Sequence, residues 1–274
     1  MRRPLTLLSL FILMIAAPSA HALFVPKSDA WELWRPAAPS QQIAVDHSVW
    51  GELLSRYLDD SHVSGVNRFD YEAVTNEDTE RLDGYIESLA ALPTDQLTAD
   101  QQQAYWINLY NAITVQLIVE NPGVDSIREI KDGLFSIGPW GREVVTVAGT
   151  PLSLNDIEHR ILRPLYQDAR VHFAVNCASI GCPNLQSVPF TAANLDALMD
   201  DAAREYLAHP RGLSIDGNTL RMSTIFKWFA DDFGDSQAEL LAWLAPFAPE
   251  ESRQALSAWQ GRVKYDYDWA LNRP

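Results

Sequence analysis

The sequence predicts an α+β fold in which many helices pack on a small, mostly antiparallel sheet. Three observations lead to this prediction. The run from residue 98 to 121 is apolar over most of its C-terminal half, as a buried helix is. Asp216-Gly217-Asn218 is a strong hairpin turn. Apolar and aromatic residues alternate with polar ones over residues 263–269, which favours a closing strand.

The other elements follow from local patterns along the chain. Apolar residues at helical spacing predict helices over residues 46–58, 77–91, 98–121, 154–164, 191–207 and 223–234, with one or two more in 236–259. Runs of strand-forming residues predict extended segments at 67–71, 142–147 and 170–176. Two helices begin with capping boxes, in which Thr98 pairs with Gln101 and Ser153 pairs with Asp156. Together these elements make an α+β protein.

The N-terminus has the three-part layout of a secretory signal peptide. Arg2 and Arg3 precede an apolar run, which ends in the small-residue site at residues 20–22. The run is shorter than the roughly 20 residues that a membrane span needs. We therefore predict a signal peptide over residues 1–22 and a periplasmic or secreted protein with no membrane association beyond export.

The rest of the chain is divided at residue 100. Residues 23–100 are predicted to form an N-terminal arm with helices. Residues 101–274 are predicted to form the main domain, with C-terminal helices and the closing strand. We expect the two parts to make one compact domain.

The chain is acidic. Its 274 residues include 36 Asp and Glu against 21 Lys and Arg, a formal charge of −15. Such a surface repels nucleic acid and anionic membranes, so neither is an expected partner. The expected partner is a peptide-like substrate or another protein, and the oligomeric state is left open.

Both cysteines of the chain lie in residues 171–185, which read VHFAVNCASIGCPNL. Cys177 and Cys182 are separated by Ala-Ser-Ile-Gly, and His172 lies five residues before Cys177. Cysteines this close together serve as a disulfide, as metal ligands or as a reactive thiol. The segment is therefore the first place to look for function.

Five motifs occur in the order typical of one family. They are AYWINLYNAITVQLIVEN, LSLNDIEHRILR, VHFAVNCASIGCPNL, STIFKWFADDFG and YDWALN, within roughly residues 102–272. With these motifs the chain resembles the family called domain of unknown function 547 (DUF547), which makes residues 101–274 a DUF547-like domain. The resemblance implies an α+β domain similar to papain-like and transglutaminase-like cysteine enzymes. It also implies a catalytic set of Glu158, His159 and Cys177.

A thiol nucleophile is the first of three interpretations. Cys177 needs a base to form a thiolate near neutral pH, and a base needs a partner that orients it. His159 is the candidate base. The candidate orienting residues are Glu158, Asp156, which lies three residues before His159 on the same helix, and Asn108 from the central helix.

The expected reaction of such an enzyme is acyl transfer or amide hydrolysis on a peptide-like substrate. The backbone N–H groups of residues 178–181 are candidates for stabilising the oxyanion. Two points count against a simple papain likeness. Neighbours on a helix, such as Glu158 and His159, point about 100° apart. Cys177 follows a predicted strand, whereas the nucleophile of papain-like enzymes opens a helix.

A disulfide between Cys177 and Cys182 is the second interpretation. An exported chain meets oxidising conditions, in which two cysteines tend to pair. Gly181 permits a tight turn between them, and a bridge needs Cα atoms within about 7 Å. A permanent bridge removes the nucleophile, so the chain would then be a non-catalytic binding or scaffold domain.

A zinc site is the third interpretation. His159, His172, Cys177 and Cys182 have the donor types that zinc prefers. However, alternation along the predicted strand directs His172 away from Cys177. We therefore assign no metal and no cofactor, and both the thiol and the disulfide interpretations stay open.

Overall fold

The computed structural model describes residues 26–36, 43–131, 133 and 137–274. Within these residues the chain is an α+β protein, which confirms the predicted fold class. The predicted signal peptide, residues 1–22, lies outside the described residues. No helix in the described part of the chain is long and apolar enough to span a lipid bilayer.

The helices follow the predicted ones over most of the chain. The α-helices are α1 (Ser48–Tyr57), α2 (Asn76–Ala90), α3 (Ala99–Val119), α4 (Leu154–Asp156), α5 (Arg163–Tyr166), α6 (Val171–Ala174), α7 (Leu195–Ala208), α8 (Ile225–Trp228), α9 (Ala230–Phe233), α10 (Gln237–Leu244) and α11 (Glu250–Ser257). A π-helical turn, Ile157–Leu162, joins α4 to α5. Short 3₁₀ turns lie at Glu32–Trp34, Tyr71–Ala73, Thr94–Gln96 and Ile127–Glu129.

The strands of the described residues form three small sheets instead of one. They are β1 (Leu58–Asp59), β2 (Arg68–Phe69), β3 (Glu143–Val147), β4 (Thr150–Ser153), β5 (Leu213–Asp216), β6 (Thr219–Ser223) and β7 (Arg262–Asp266). The pairs β1–β2, β3–β4 and β5–β6 are antiparallel. The closing strand β7 adds to β6 in parallel, with Thr219 opposite Arg262.

Helix α3 is the central helix of the fold. The predicted capping box is present, because Thr98 accepts a hydrogen bond from the Gln101 N–H and the Gln101 side chain accepts one from the Thr98 N–H. Nearly all side chains of α3 are buried. One of them, Asn111, holds the chain after α6, since it accepts from the Asn176 N–H at 2.8 Å and donates to the Ala174 carbonyl at 2.9 Å.

The buried side chains form two hydrophobic clusters. One surrounds α3, and the other lies between α7, the β5–β6 hairpin and the C-terminal helices. Helix α6 lies between the two clusters, because Val171 and Ala174 belong to the first and Phe173 to the second. His172 is therefore inside the protein, 3% exposed.

The predicted strand over residues 170–176 is wrong. Its first part is the single helical turn α6, closed by a 3.1 Å bond from the Val175 N–H to the Val171 carbonyl. Val, Phe and Val favour strands by propensity, but packing between two clusters overrides that preference. Because alternation does not apply in a helical turn, the argument that turned His172 away from Cys177 no longer holds.

Residues 154–166 form one continuous helix, as predicted, but with an unexpected π turn in it. The Arg163 N–H reaches back five residues to the carbonyl of Glu158 and leaves the His159 carbonyl without its α-helical partner. Pro164 has no N–H, so the Arg160 carbonyl loses its partner as well.

The N-terminal arm, residues 26–35, supplies the missing donors. The Asp29 N–H binds the His159 carbonyl at 3.0 Å, and the Trp31 N–H binds the Arg160 carbonyl at 2.9 Å. The indole of Trp31 also lies 4.0 Å from the Arg160 guanidinium. The arm thus covers the helix that bears Glu158 and His159.

Candidate functional site

Asp232 on α9 is the centre of a partly buried charge network. Its Oδ2 lies 2.6 Å from Nε2 of His172 and 2.5 Å from Nε of Arg163. The second oxygen, Oδ1, accepts from Nη2 of Arg163 at 3.0 Å, so the guanidinium is bound at two points. Burial raises the pKa of Asp232, but the hydrogen bonds from His172 and Arg163 outweigh it and lower the pKa to about 2.

Glu158 lies between two imidazoles. Its Oε1 is 3.9 Å from Nδ1 of His159 and 3.9 Å from Nδ1 of His172. Glu158 and His159 both lie in the π turn, which holds more residues per turn than an α-helix and so reduces the angle between neighbouring side chains. The ring of Phe229 closes the site, stacked on His172 with centroids 4.1 Å apart and 5.9 Å from the ring of His159.

The two imidazoles have different hydrogen-bond roles. His172 donates from Nε2 to Asp232, because a carboxylate only accepts, and its Nδ1 faces Oε1 of Glu158 at 3.9 Å. His159 uses Nδ1 to accept from Nη1 of Arg163 at 3.1 Å. Burial lowers the pKa of His159, the charge of Glu158 opposes this shift, and the charge of Arg163 adds to it. His172 therefore has the geometry of an oriented base, while the predicted base His159 has its Nδ1 occupied.

The two cysteines are joined, as the disulfide interpretation predicted. Cys177 and Cys182 form a disulfide with Cα atoms 6.3 Å apart. The phenol of Tyr267 lies 3.0 Å from Sγ of Cys177 and 3.2 Å from Sγ of Cys182. The hydroxyl of Ser179 is 3.2 Å from Sγ of Cys177. As neither sulfur is a thiolate, they do not act with His159 and His172 as zinc ligands in this state.

Two tyrosines connect the disulfide with the charge network. Burial raises the pKa of Tyr110 and of Tyr267, and the charge of Glu158 raises both further. The charge of Glu158 thus acts on both phenols, and the phenol of Tyr267 contacts the sulfurs. Among the described residues, no group of three or more His, Cys, Asp and Glu side chains has the arrangement of a metal site.

Half-buried tryptophans continue the site on the side of Tyr267. The ring of Trp269 lies 4.6 Å from Tyr267, that of Trp228 lies 4.8 Å from it, and Trp140 is 5.7 Å from Trp269. The guanidinium of Arg128 lies over Trp269 at 5.1 Å. These rings, inclined to one another by 54–67°, provide an aromatic surface next to the disulfide.

The structure shows what the two other predicted orienting residues, Asn108 and Asp156, contact. Asn108 donates to the Phe190 carbonyl at 2.7 Å and accepts from the Phe190 N–H at 3.0 Å, so its amide brackets a loop. Asp156 caps its helix through Ser153 and pairs with Arg160 at 3.4 Å.

Three of the four predicted oxyanion donors are occupied. The N–H groups of Ala178, Ile180 and Gly181 bind Asn176, Ala270 and Asp268, respectively.

Sequence reasoning missed several residues of the site. Arg163 lies four residues after His159, and this spacing on one helix face was a signal for their contact. His172 was set aside because of the wrong strand assignment. Asp232 and Tyr267 are 60 and 90 residues away from their partners His172 and Cys177, and no local pattern announces contacts at such separations.

Comparison with known proteins gives one match. Residues 94–207 match the family model described as "Protein of unknown function, DUF547". No curated protein and no solved structure matches the chain. The matched segment holds the π turn, α6 and both cysteines, whereas Phe229, Asp232 and Tyr267 lie outside it. Over residues 94–207, the chain is therefore similar to the DUF547 family.

Proposed function

We propose that the chain is an exported thiol-dependent acyl transferase or amide hydrolase that acts on a peptide-like substrate. Cys177 in its reduced form is the nucleophile. His172, oriented by Asp232, is the base, and the negative charge of Glu158, 3.9 Å from Nδ1 of His172, stabilises the imidazolium that forms. The observation that carries the proposal is the 2.6 Å bond between Nε2 of His172 and Asp232, which leaves Nδ1 able to accept a proton.

The reaction proceeds in two stages, acylation of Cys177 and release of the acyl group. The imidazole takes the thiol proton, and the Cys177 thiolate attacks the acyl carbon of the substrate. The leaving amine departs with a proton from the imidazolium, and an acyl group stays on sulfur. Water or an acceptor amine then attacks the thioester, and the thiol is restored. The tryptophans near Tyr267 suit an apolar substrate side chain beside the sulfur.

The part of His159 in this proposal differs from the one that the sequence favoured. It accepts from Arg163, which is itself bound to Asp232 at two points. His159 therefore positions Arg163, and Arg163 positions Asp232. His159 influences the base His172 only through these two residues. Asn108 is not included, because its amide is engaged with Phe190.

Two features support the proposed export. The layout of residues 1–22 is that of a signal peptide. A disulfide between the only two cysteines is typical of an oxidising compartment such as a periplasm. Mass spectrometry of the protein recovered from the culture medium or periplasm tests this directly, with a new N-terminus at Leu23 expected.

The enzymatic test uses the Cys182→Ser variant, in which Cys177 is the single thiol. The probe is p-nitrophenyl acetate, an activated ester. We expect a burst of one equivalent of p-nitrophenol and one acetyl group on Cys177. The variant that also carries His172→Gln should react at least about 100-fold more slowly, the usual size of a general-base effect.

His209→Gln is the matched control. His209 is a half-buried histidine that binds the Ser64 carbonyl at 2.8 Å and belongs to neither the charge network nor the cysteine loop. It should leave the burst unchanged. Acetylation of Cys177 at the rate of free cysteine, with no change on His172→Gln, would exclude the proposed base.

A non-catalytic binding or scaffold domain is the second candidate. It is favoured by the disulfide, which leaves no free thiol in the chain. This candidate predicts that neither the reduced protein nor Cys182→Ser takes up an acetyl group faster than a short cysteine peptide. The same experiment therefore distinguishes the two functions.

A further inference from the structure

The loop that holds the disulfide is fixed by many hydrogen bonds that do not involve sulfur. Asn176 donates from Nδ2 to the Pro183 carbonyl at 2.8 Å and accepts from the Ala178 N–H at 2.8 Å. Tyr206 donates to the Gly181 carbonyl at 2.6 Å. These contacts close the loop across its base and hold its far end.

The C-terminal tail holds the same loop from the other side. The N–H groups of Ile180 and Gly181 each bind a tail carbonyl at 2.8 Å, and the tail N–H of Asn272 binds the Ala178 carbonyl at 3.1 Å. Ala178 has a left-handed φ of 57°, which a residue other than glycine adopts only where its surroundings enforce it. Here its N–H and its carbonyl are both bound, so the conformation does not depend on the disulfide.

The disulfide therefore contributes little to holding the loop in its conformation. In the chain-entropy model the stabilisation by a disulfide grows with the length of the loop it closes, and Cys177 and Cys182 are only 5 positions apart. The main chain of the loop already has its partners in Asn111, Asn176 and the tail. We expect the loop to keep its shape when the sulfurs separate.

Hydrogen-bond donors converge on the sulfurs. The Cys177 N–H points to Sγ of Cys182 at 3.0 Å. The Tyr267 phenol lies within 3.2 Å of both sulfurs, and the Ser179 hydroxyl lies near Sγ of Cys177. Burial raises the pKa of Tyr267, so its hydroxyl keeps its proton and remains a donor. A disulfide sulfur is a weak acceptor, whereas a thiolate is a strong one, so these donors stabilise the reduced pair.

The two sulfurs differ in access. Cys177 is half-buried, while Cys182 is 5% exposed. An external thiolate therefore reaches Cys177, and Cys182 is the sulfur that leaves. The leaving sulfur is the one that faces both the Cys177 N–H and the Tyr267 hydroxyl.

We propose that Cys177 and Cys182 form a reversible thiol–disulfide couple that exchanges with an external dithiol. A thiolate of the dithiol attacks Sγ of Cys177, the bond between the cysteines breaks, and Cys182 leaves with the electron pair as a thiolate. The second thiolate of the dithiol then attacks the other sulfur of the dithiol, which is bonded to Cys177 in the mixed disulfide. Cys177 leaves as a thiolate. The dithiol loses two electrons and becomes a disulfide, and the cystine gains them. This exchange stands independently of the acyl chemistry, and it supplies the reduced Cys177 that the acyl chemistry needs.

The test equilibrates the purified full chain in dithiothreitol and glutathione redox buffers, with alkylation of free thiols at the end. We expect one reversible two-electron transition in the folded protein. On reduction, the thermal midpoint should fall by no more than about 8 °C. In hydrogen exchange, the N–H groups of Ile180 and Gly181 should stay protected. The Cys182→Ser variant should capture one glutathione on Cys177.

Two tyrosine variants separate chemistry from structure. Tyr267→Phe keeps the ring and removes the hydroxyl, and it should slow reduction by dithiothreitol about tenfold. Tyr265→Phe, on the exposed face of β7, is the control and should not change the rate.

A disulfide that is reduced only in denaturant, or a loop that loses its protection on reduction, would overturn the proposal and make the bridge a staple. If exchange is observed but no acetyl group is transferred, the acyl transferase proposal fails and the redox couple stands.

Discussion

His172 and Asp232, sixty residues apart in the chain, are joined by a 2.6 Å bond between Nε2 and Oδ2. The same carboxylate binds Arg163 at two points. One imidazole, one carboxylate and one guanidinium thus form a unit in which each member fixes the orientation of the others. Removing one member leaves two charged or polar groups without their partner.

The Asp232 carboxylate makes the stability depend on pH at the acidic end. Its pKa is about 2 in the folded chain against an ordinary value of 3.8, so its contribution is present above about pH 4 and is lost as the pH falls towards 2. Asp232→Asn should remove this slope and lower the free energy of unfolding at pH 7 by about 1–2 kcal/mol. Urea titrations across this pH range measure both effects. Asp231→Asn, at the exposed neighbouring position, should keep the slope.

His47 should cause a second pH dependence, of a different kind. Its ring is buried against the Tyr85 hydroxyl at 2.7 Å, and burial lowers its pKa from 6.5 to about 4. Between pH 6.5 and pH 4, His47 therefore binds a proton in the unfolded chain but not in the folded chain. The free energy of unfolding falls by about 3 kcal/mol as the pH drops through this range. His47→Gln should flatten the unfolding free energy in this window, and the half-exposed His62→Gln should not. An unchanged slope in His47→Gln would assign the effect to other groups.

Gly181 is required by a close approach of two backbones. A Cβ at this position would lie 2.9 Å from both the N and the O atoms of Asp268, so the loop and the tail would have to separate. Gly181→Ala should cost about 1–3 kcal/mol, the usual range for overpacking. Gly84→Ala is the matched control, since nothing lies within 4 Å of its Cβ and alanine favours the helix by up to about 1 kcal/mol. Thermal or chemical unfolding of the two variants should therefore shift in opposite directions.

Asn108 offers a test between a structural and a catalytic role. Asn108→Ala removes both bonds to Phe190 and leaves buried backbone groups unpaired, so it should cost about 1–3 kcal/mol of unfolding free energy. In the Cys182→Ser background it should leave the rate of Cys177 acetylation unchanged. A large loss of rate without a loss of stability would return Asn108 to the catalytic set that the sequence suggested.

The contact of Trp31 with Arg160 should be measurable as a local effect. The cation–π contact at 4.0 Å is partly exposed and is worth about 0.5–1 kcal/mol. In Trp31→Ala, hydrogen exchange of the Asp29 and Trp31 N–H groups should become faster, because the arm opens more often. Leu33→Ala, whose side chain is 63% exposed on the same arm, should not have this effect.

The parts of the fold that sequence patterns predicted are those fixed by local contacts. Thr98 and Gln101 are three residues apart, and the hairpin turn at Asp216-Gly217 brings its strands together without help from elsewhere. The disulfide also belongs here, since Cys177 and Cys182 are five positions apart.

The parts that sequence patterns missed depend on distant contacts. The π turn requires donors from the arm, about 130 residues upstream of His159. The turn α6 is helical in spite of strand-forming residues, because it packs between two clusters. The hydrogen bond between His172 and Asp232 joins residues sixty positions apart, so no local pattern predicted it. Reasoning along the chain pointed to the pairing of Cys177 with Cys182 but not to the distant residues that contact the two sulfurs.

The two tails that hold the site have an evolutionary consequence. The arm binds the main chain at His159 and Arg160, and the C-terminal tail binds it at Ala178, Ile180 and Gly181. Both tails lie outside residues 94–207. Family members that share this segment but differ in their tails would keep the motif residues and yet present them with different cover, access and charge. Divergence in specificity within the family is therefore expected to accumulate in the tails.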